Sequence, residues 1–238
     1  MSARFLPAGD CALVVELEDE IGAGLNRRLR ALEWLLGEGR LAGVTETVPS
    51  FRSLLVYYDP EVIGYDALCA AVERRIGQAA HTPAPGARSI EIPCCYRDPA
   101  LGFDLQAVAA RLGMNVEGVI EAHTAVEYLV YFIGFAPGQP YLTGLPAPLA
   151  IPRLESPRTQ TPAGAVGIGG TQCCIYSVQS PGGFWILGQT PVRLYDPEAA
   201  TPILLEPGDR LRLRSIERGE YDAIAAEVAR GSYTPPIV

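Results

Sequence analysis

Two arginines in the stretch "IPRLESPRT", Arg153 and Arg158, each follow a proline directly. Proline fixes the backbone ahead of a guanidinium, whose planar fork can grip a carboxylate or a phosphate. The plain alternative is a pair of surface arginines. His123 and Glu127, in "EAHTAVEY", have the residue types for acid–base work. The plainer reading places His123 at a helix C-terminus, where the dipole favours its cation. Three Gly/Pro-rich segments lie in the same half of the chain: "GFAPGQPYLTGLP" (134–146), "TPAGAVGIGG" (161–170) and "SPGGFWILGQTP" (180–191). Glycine lets a backbone approach a ligand and expose its N–H groups, but the tight corners of a barrel need glycine too. The first segment has four Gly or Pro among its first seven residues, which argues against both a helix and a central strand.

Composition removes several chemistries. All 19 basic residues are arginine, so no lysine is present for a Walker-A loop or a Schiff base. A formal charge of −8 is the wrong sign for a nucleic-acid footprint. "GIGGTQ" lacks the spacing of a dinucleotide fingerprint, and no G-x-S-x-G elbow occurs. Six cysteines include two adjacent pairs, Cys94–Cys95 and Cys173–Cys174. Neighbours on a strand point to opposite faces, so free thiols are expected and no metal site. Arg4 and Asp10 interrupt any signal-like apolar run, and no stretch has membrane-spanning length. A cytoplasmic protein without a membrane partner is the expectation.

The elements that must hold these residues fall into two sets. "CALVVEL", then a helix with Leu25, Leu29, Leu32 and Leu36 on one face, then "GVTETV" and "SLLVYY", then a helix with Leu68, Val72 and Ile76, give β-α-β-β-α. This is most of a split βαβ unit of ferredoxin-like type. The strand "SIEIPCCY" either completes it or starts the next domain. Residues 78–88, "QAAHTPAPGAR", are the linker candidate between an N-terminal domain, 1–77, and a second domain, 89–238. In the second, Asp104 and Asn115 are placed to cap short helices. "EYLVYFIGF", "AVGIGG", "QCCIYS", "FWILG", "VRLYD" and "RLRLRS" read as strands of a barrel or sandwich, and "EYDAIAAEVARG" as a terminal helix. The fold class is α+β.

In order, "GDCALVVEL", "VPSFRSLLVYYDP", "VYFIGFAPGQPYLTGLP", "PRLESPRTQTPAGAVGIGGTQCCIYSVQSPGGFWILGQTP" and "LEPGDRLRL" resemble the family of 5-oxoprolinase B subunits, also known as allophanate hydrolase subunit 1 or the sporulation kinase inhibitor family. The resemblance runs from about Phe5 to Arg230. It implies a small α/β domain followed by a cyclophilin-like β-barrel. It also implies partner A and C subunits, ATP bound in the assembled complex on or shared with a partner, and a small anionic substrate, 5-oxoproline, opened to glutamate. Its alternatives are inhibition of a sensor histidine kinase, or half of a biotin-dependent carboxyltransferase of the urea carboxylase type. The candidate ligand-binding residues are Gly138, Gln139, Tyr141, Arg153, Arg158, Gln172, Gly182, Gly183, Gln189 and Thr190, with the first segment lining the barrel mouth. The chain departs from the family's usual residues at Gln139 (aromatic), Ser177 (proline), Phe184 (tryptophan) and Gln189 (arginine).

Overall fold

The computed structural model describes residues 3–17, 21–37, 41–82 and 87–237. The chain divides into two compact units, Met1–Gly86 and Ala87–Val238. The segment read as a linker is described only at its ends, since 83–86 lie outside the described residues.

In the first unit β1 (Arg4–Pro7), β2 (Ala12–Glu16), β3 (Val44–Pro49) and β4 (Ser53–Tyr58) form an antiparallel sheet in the order β1-β2-β4-β3. Helices α1 (Ala23–Leu36) and α2 (Tyr65–Ala79) bury Leu25, Leu29, Leu32, Leu36, Leu68 and Val72 against Leu13, Val15, Leu54, Val56 and Tyr58. These strand residues alternate in sequence, so one sheet face carries the core. The β2-α1-β3-β4 portion has split βαβ order. The strand that would complete a ferredoxin-like unit, "SIEIPCCY", belongs instead to the second unit, and β1 takes the edge beside β2. Strand β1 is short, largely exposed and ends at Pro7, which hid it from the sequence pattern.

The second unit is a closed barrel. Its strands are β5 (Ser89–Cys95), β6 (Glu127–Ile133), β7 (Pro140–Thr143), β9 (Ala165–Gly169), β10 (Gln172–Ile175), β12 (Trp185–Gln189) and β13 (Arg210–Ile216), in the order β10-β7-β6-β13-β5-β12-β9. Only β5 and β13 run parallel. The interior holds Ile92, Tyr128, Val130, Leu142, Val166, Ile168, Leu187 and Leu213, together with residues of α3 (Leu105–Leu112) and α4 (Val116–Thr124). Two strands outside the barrel, β8 (Arg158–Thr161) and β11 (Ser180–Gly182), pair as a ribbon. Helix α5 (Arg218–Ala229) packs Ile224 with Cys95, Leu101 and Ile216. At the start of β5, Arg88 is held by Asp209, which is 1% exposed and also accepts from Glu206 N at 2.9 Å.

Three expectations are corrected here. Residues 140–143 of the first Gly/Pro segment form a central barrel strand: Pro140 is its first residue, where the missing N–H is tolerated. "VRLYD" makes only an isolated bridge, Tyr195 to Ile203. Asp104 does not cap α3 with its side chain, which is spent on Arg158 and Ile186 N, whereas Asn115 Oδ1 does accept from Gly118 N at 2.6 Å. The cysteine pairs alternate as expected, but both faces are covered. Cys94 and Cys173 lie in the interior, Cys95 under α5, and Cys174 in an outer cluster with Tyr176 and Phe184.

Candidate functional site

The ten candidate ligand residues separate into two groups. Gly138, Gln139, Gln189 and Thr190 meet at one rim of the barrel, where β6, β10 and β12 end and β7 and β9 begin. Ser177 Oγ donates to Pro137 O at 2.6 Å, Thr190 N donates to Gly164 O at 2.9 Å, and Gln189 Nε2 donates to Ala163 O at 2.7 Å. Gly164 has φ +81°, and a Cβ there would run into the Thr190 carbonyl, so glycine is required at this corner. Gly164, Ser177, Gln189, Thr190, Arg193 and Tyr221 line a cavity of about 260 Å³ at this rim. Gln139 is 1% exposed, and its Oε1 has no hydrogen-bond partner.

Tyr141, Arg153, Arg158, Gln172, Gly182 and Gly183 lie on the outer face and its ribbon. Tyr141 projects from β7 and stacks on Phe132 with ring centroids 4.6 Å apart. It borders the outer cluster of Ala165, Cys174, Tyr176, Phe184 and Ile186. The ribbon lies close against that cluster: a Cβ on Gly182 would collide with the Tyr176 hydroxyl. Arg153 lies over the Phe184 ring, 4.5 Å from its centroid, and its Nη2 donates to Gln172 Oε1 at 2.9 Å. Burial pushes the Tyr141 phenol up, with Cys174 adding to it and the Arg153 guanidinium and Gln139 opposing. Burial likewise raises the Cys174 thiol, again with Arg153 opposing. Arg153 thus opposes the upward shift of these two groups.

Arg158 is occupied differently. Its Nη2 donates to Asp104 Oδ1 at 2.6 Å and its Nη1 to Phe184 O at 3.1 Å, while its guanidinium lies 5.1 Å from the Phe103 centroid. Asp104 Oδ2 accepts from Ile186 N at 2.7 Å. One ion pair thus ties the ribbon to β12 and to the start of α3, and sets the backbone that carries Phe184. Sequence reasoning missed Asp104, Tyr176 and Phe184 as parts of this face. An isolated aspartate before a helix reads as a cap, and nothing local in the sequence shows the arginine 54 residues away that claims it.

His123 and Glu127 are not brought together. His123 is fully buried in the barrel, with Nδ1 2.9 Å from Tyr96 Oη and Nε2 3.4 Å from Cys173 Sγ. Burial pulls its pKa down to about 3, so the ring is neutral, and the dipole-favoured cation is corrected to a core histidine. Glu127 is exposed at the start of β6, where its Oε1 accepts from Ser89 Oγ at 3.0 Å. Among the described residues no group of three His, Cys, Asp or Glu side chains could hold a metal ion.

Comparison with known proteins agrees with this architecture. The family described as "Carboxyltransferase domain, subdomain C and D" matches residues 3–205. The 5-oxoprolinase B subunit of Escherichia coli O157:H7 is 40% identical over 220 residues, covering 91% of this chain and 98% of that protein. The 5-oxoprolinase B subunit of Bacillus subtilis is 36% identical over 229 residues, covering 92% and 95%. The solved protein TTHA0988 superposes with a TM-score of 0.77 at 35% identity, over 87% of this chain but only 40% of its own length. With a family match across most of its length and these relatives matched nearly end to end, the chain belongs to the carboxyltransferase C and D domain family, alongside the bacterial 5-oxoprolinase B subunits.

Proposed function

We propose that the chain is the B subunit of an ATP-dependent 5-oxoprolinase, a hydrolase that opens the lactam of 5-oxo-L-proline to L-glutamate together with A and C subunits. The observation that carries this reading is the 36–40% identity to 5-oxoprolinase B subunits, over 95–98% of their length. ATP is bound in the assembled complex, on a partner or shared with it. In a chain without lysine, arginine is the permanent side-chain cation available to phosphates. Both ligands are anionic, so an acidic chain of net charge −8 needs a local cation to receive either. A cytoplasmic location fits this role, and no described helix is long and apolar enough to cross a membrane.

Reconstitution tests the proposal. The chain alone, without the A and C subunits, is expected to release no glutamate from 5-oxoproline and ATP. The three-subunit mixture is expected to release it in step with ATP consumption. Robust turnover by the single chain, or an inert full mixture, would count against this assignment. A second reading, half of a biotin-dependent carboxyltransferase, is favoured by the name of the matched family. Turnover that requires bicarbonate and a biotinylated carrier would select it.

A further inference from the structure

Two guanidinia rest over aromatic rings at the barrel end opposite the rim, where β9 stops and β10 and β12 begin. Arg153 Cζ lies 4.5 Å from the Phe184 centroid, and Arg111 Cζ, from the last turn of α3, lies 4.9 Å from the Trp185 centroid. The two rings are sequence neighbours, and Trp185 Nε1 donates to the carbonyl of Pro152, the residue before Arg153, at 2.8 Å. Direct contacts therefore hold both cations to one framework. That framework is stiff: Ile151 exchanges backbone hydrogen bonds with Gly170, Leu154 N donates to Gly183 O at 2.9 Å, and a Cβ on Gly169 would run into Arg153 Cγ. Neither Arg111 nor Arg153 forms an ion pair among the described residues, whereas Arg158, in the same loop, is closed by Asp104 at 2.6 Å. The polar partner of Arg153 is a neutral amide, Gln172 Oε1 at 2.9 Å, which brings further N–H donors and no charge.

Both arginines are exposed. Water screens an exposed cation, so a small free anion gains little there. The same charge–charge contact strengthens when a protein surface covers it and excludes water. Arginine and tryptophan are the side chains that most often anchor such surfaces, and a guanidinium already fixed on a ring loses little freedom on binding. Charge selects the occupant. The chain carries −8 overall, so an acidic partner segment is repelled elsewhere and steered to this end. A relative shows that the fold occurs with more polypeptide: the match to TTHA0988 takes only 40% of that protein's length. We propose that this end of the barrel docks an acidic surface segment of a separate partner subunit, the counterpart of the part of TTHA0988 beyond the match. Carboxylates of that segment occupy the forks of Arg111 and Arg153. The inference rests on the functional reading above, which supplies the partner, and gives that partner its place on this chain.

The test is the affinity of the purified partner subunit for this chain, measured by biolayer interferometry from about 0.05 to about 0.5 M NaCl. Arg111→Gln and Arg153→Gln are each expected to weaken Kd about tenfold to a hundredfold. The two combined should remove most of the salt dependence. Arg153→Lys keeps the charge without the fork and should recover part of the loss. Arg74→Gln, at an exposed position of α2, changes the net charge equally and should leave Kd unchanged. The Tm of each free variant separates loss of the surface from loss of the fold, and Arg111→Gln, on an exposed helix position, decides the case if Arg153→Gln does not fold. An unchanged Kd in both arginine variants overturns the docking site. So does an equal loss in Arg74→Gln, which would show a general charge effect. Displacement of the partner by millimolar ATP would show a small-anion site in its place and overturns it too. A partner subunit that never binds the wild-type chain overturns the functional reading that supplies it, whereas tight binding indifferent to these variants overturns only the docking site.

Discussion

Arg153 and Arg158 both follow a proline in the same loop, yet the fold employs them in opposite ways. Arg158 is a positioning residue: with Asp104 it fixes the Phe184 backbone, and Phe184 in turn seats Arg153. The pair is well shielded, with side chains 28% and 10% exposed. Removing one partner strands the other charge, at a cost of about 3 kcal/mol. Arg158→Gln is therefore expected to lower barrel stability by about that amount, measured by urea denaturation. Asp104→Asn should cost a similar amount, and Arg158→Gln combined with Asp104→Asn less than the sum of the two. Additive losses would show that the two side chains do not act as a pair. The proline–arginine spacing pointed to anion recognition at both positions. Which arginine stays open depends on a carboxylate 54 residues upstream of Arg158, and no local pattern encodes that.

At the scale of elements, the β8–β11 ribbon is what covers the outer cluster of Tyr176 and Phe184 on the barrel wall. It is a small sheet outside the closed barrel, carrying Arg158 at one end and crossing Tyr176 at Gly182. Tyr176 is 1% exposed, so its ring has little room to yield. Gly182→Ala should therefore cost about 1–3 kcal/mol through overpacking. Adding Tyr176→Phe should return part of the loss, because the hydroxyl is the nearest atom in the clash. Chemical denaturation of the single and double variants checks this, and a Gly182→Ala chain as stable as the parent would contradict the close contact. The sequence placed most of these elements correctly, because helical and alternating periodicities are local. It misread residues 140–143 because Gly and Pro density is a composition signal. A strand of four residues can begin at a proline and still pair on both sides.

For the whole molecule, two desolvated groups, the buried His123 and the half-buried Glu33, are expected to give the two units opposite responses to acid. In the barrel, burial holds His123 near pKa 3, against about 6.5 when unfolded. Between those values the unfolded chain takes up a proton that the folded barrel refuses. Barrel stability therefore falls as pH drops below 6.5, by about 1.4 kcal/mol per unit. In the first unit, burial raises Glu33 to about 7, with Arg30 opposing, from an unfolded value of 4.5. Here the folded state keeps a proton that the unfolded state releases, so stability falls as pH rises from 4.5 to 7. Moving from about pH 6.5 to about pH 5 should weaken the barrel and strengthen the sheet-and-helix unit. The chain's two tryptophans report separately, with Trp34 in α1 and Trp185 in β12. Denaturation of single-tryptophan variants at the two pH values, followed by fluorescence, should give midpoints that move in opposite directions. Glu33→Gln should flatten the response of the sheet-and-helix unit and His123→Gln that of the barrel. Midpoints that shift together would rule out this division.

The sequence by itself determined the absence of lysine chemistry, the two-part organisation, the helices α1 to α5 and most of the strands, and the family. Each of these depends on residue identity, on short-range periodicity or on the order of motifs along the chain. Tertiary structure alone decided that His123 is a neutral core residue and not an exposed base, since burial depends on which strands enclose it. It likewise decided that "SIEIPCCY" closes a barrel beside β13 and does not complete the first sheet. The hydrophobic pattern of that strand suits either neighbour, and only the pairing with a parallel partner far along the chain selects one. The same long-range pairing divides the candidate residues between the rim and the outer face, and seats Arg153 on the Phe184 ring.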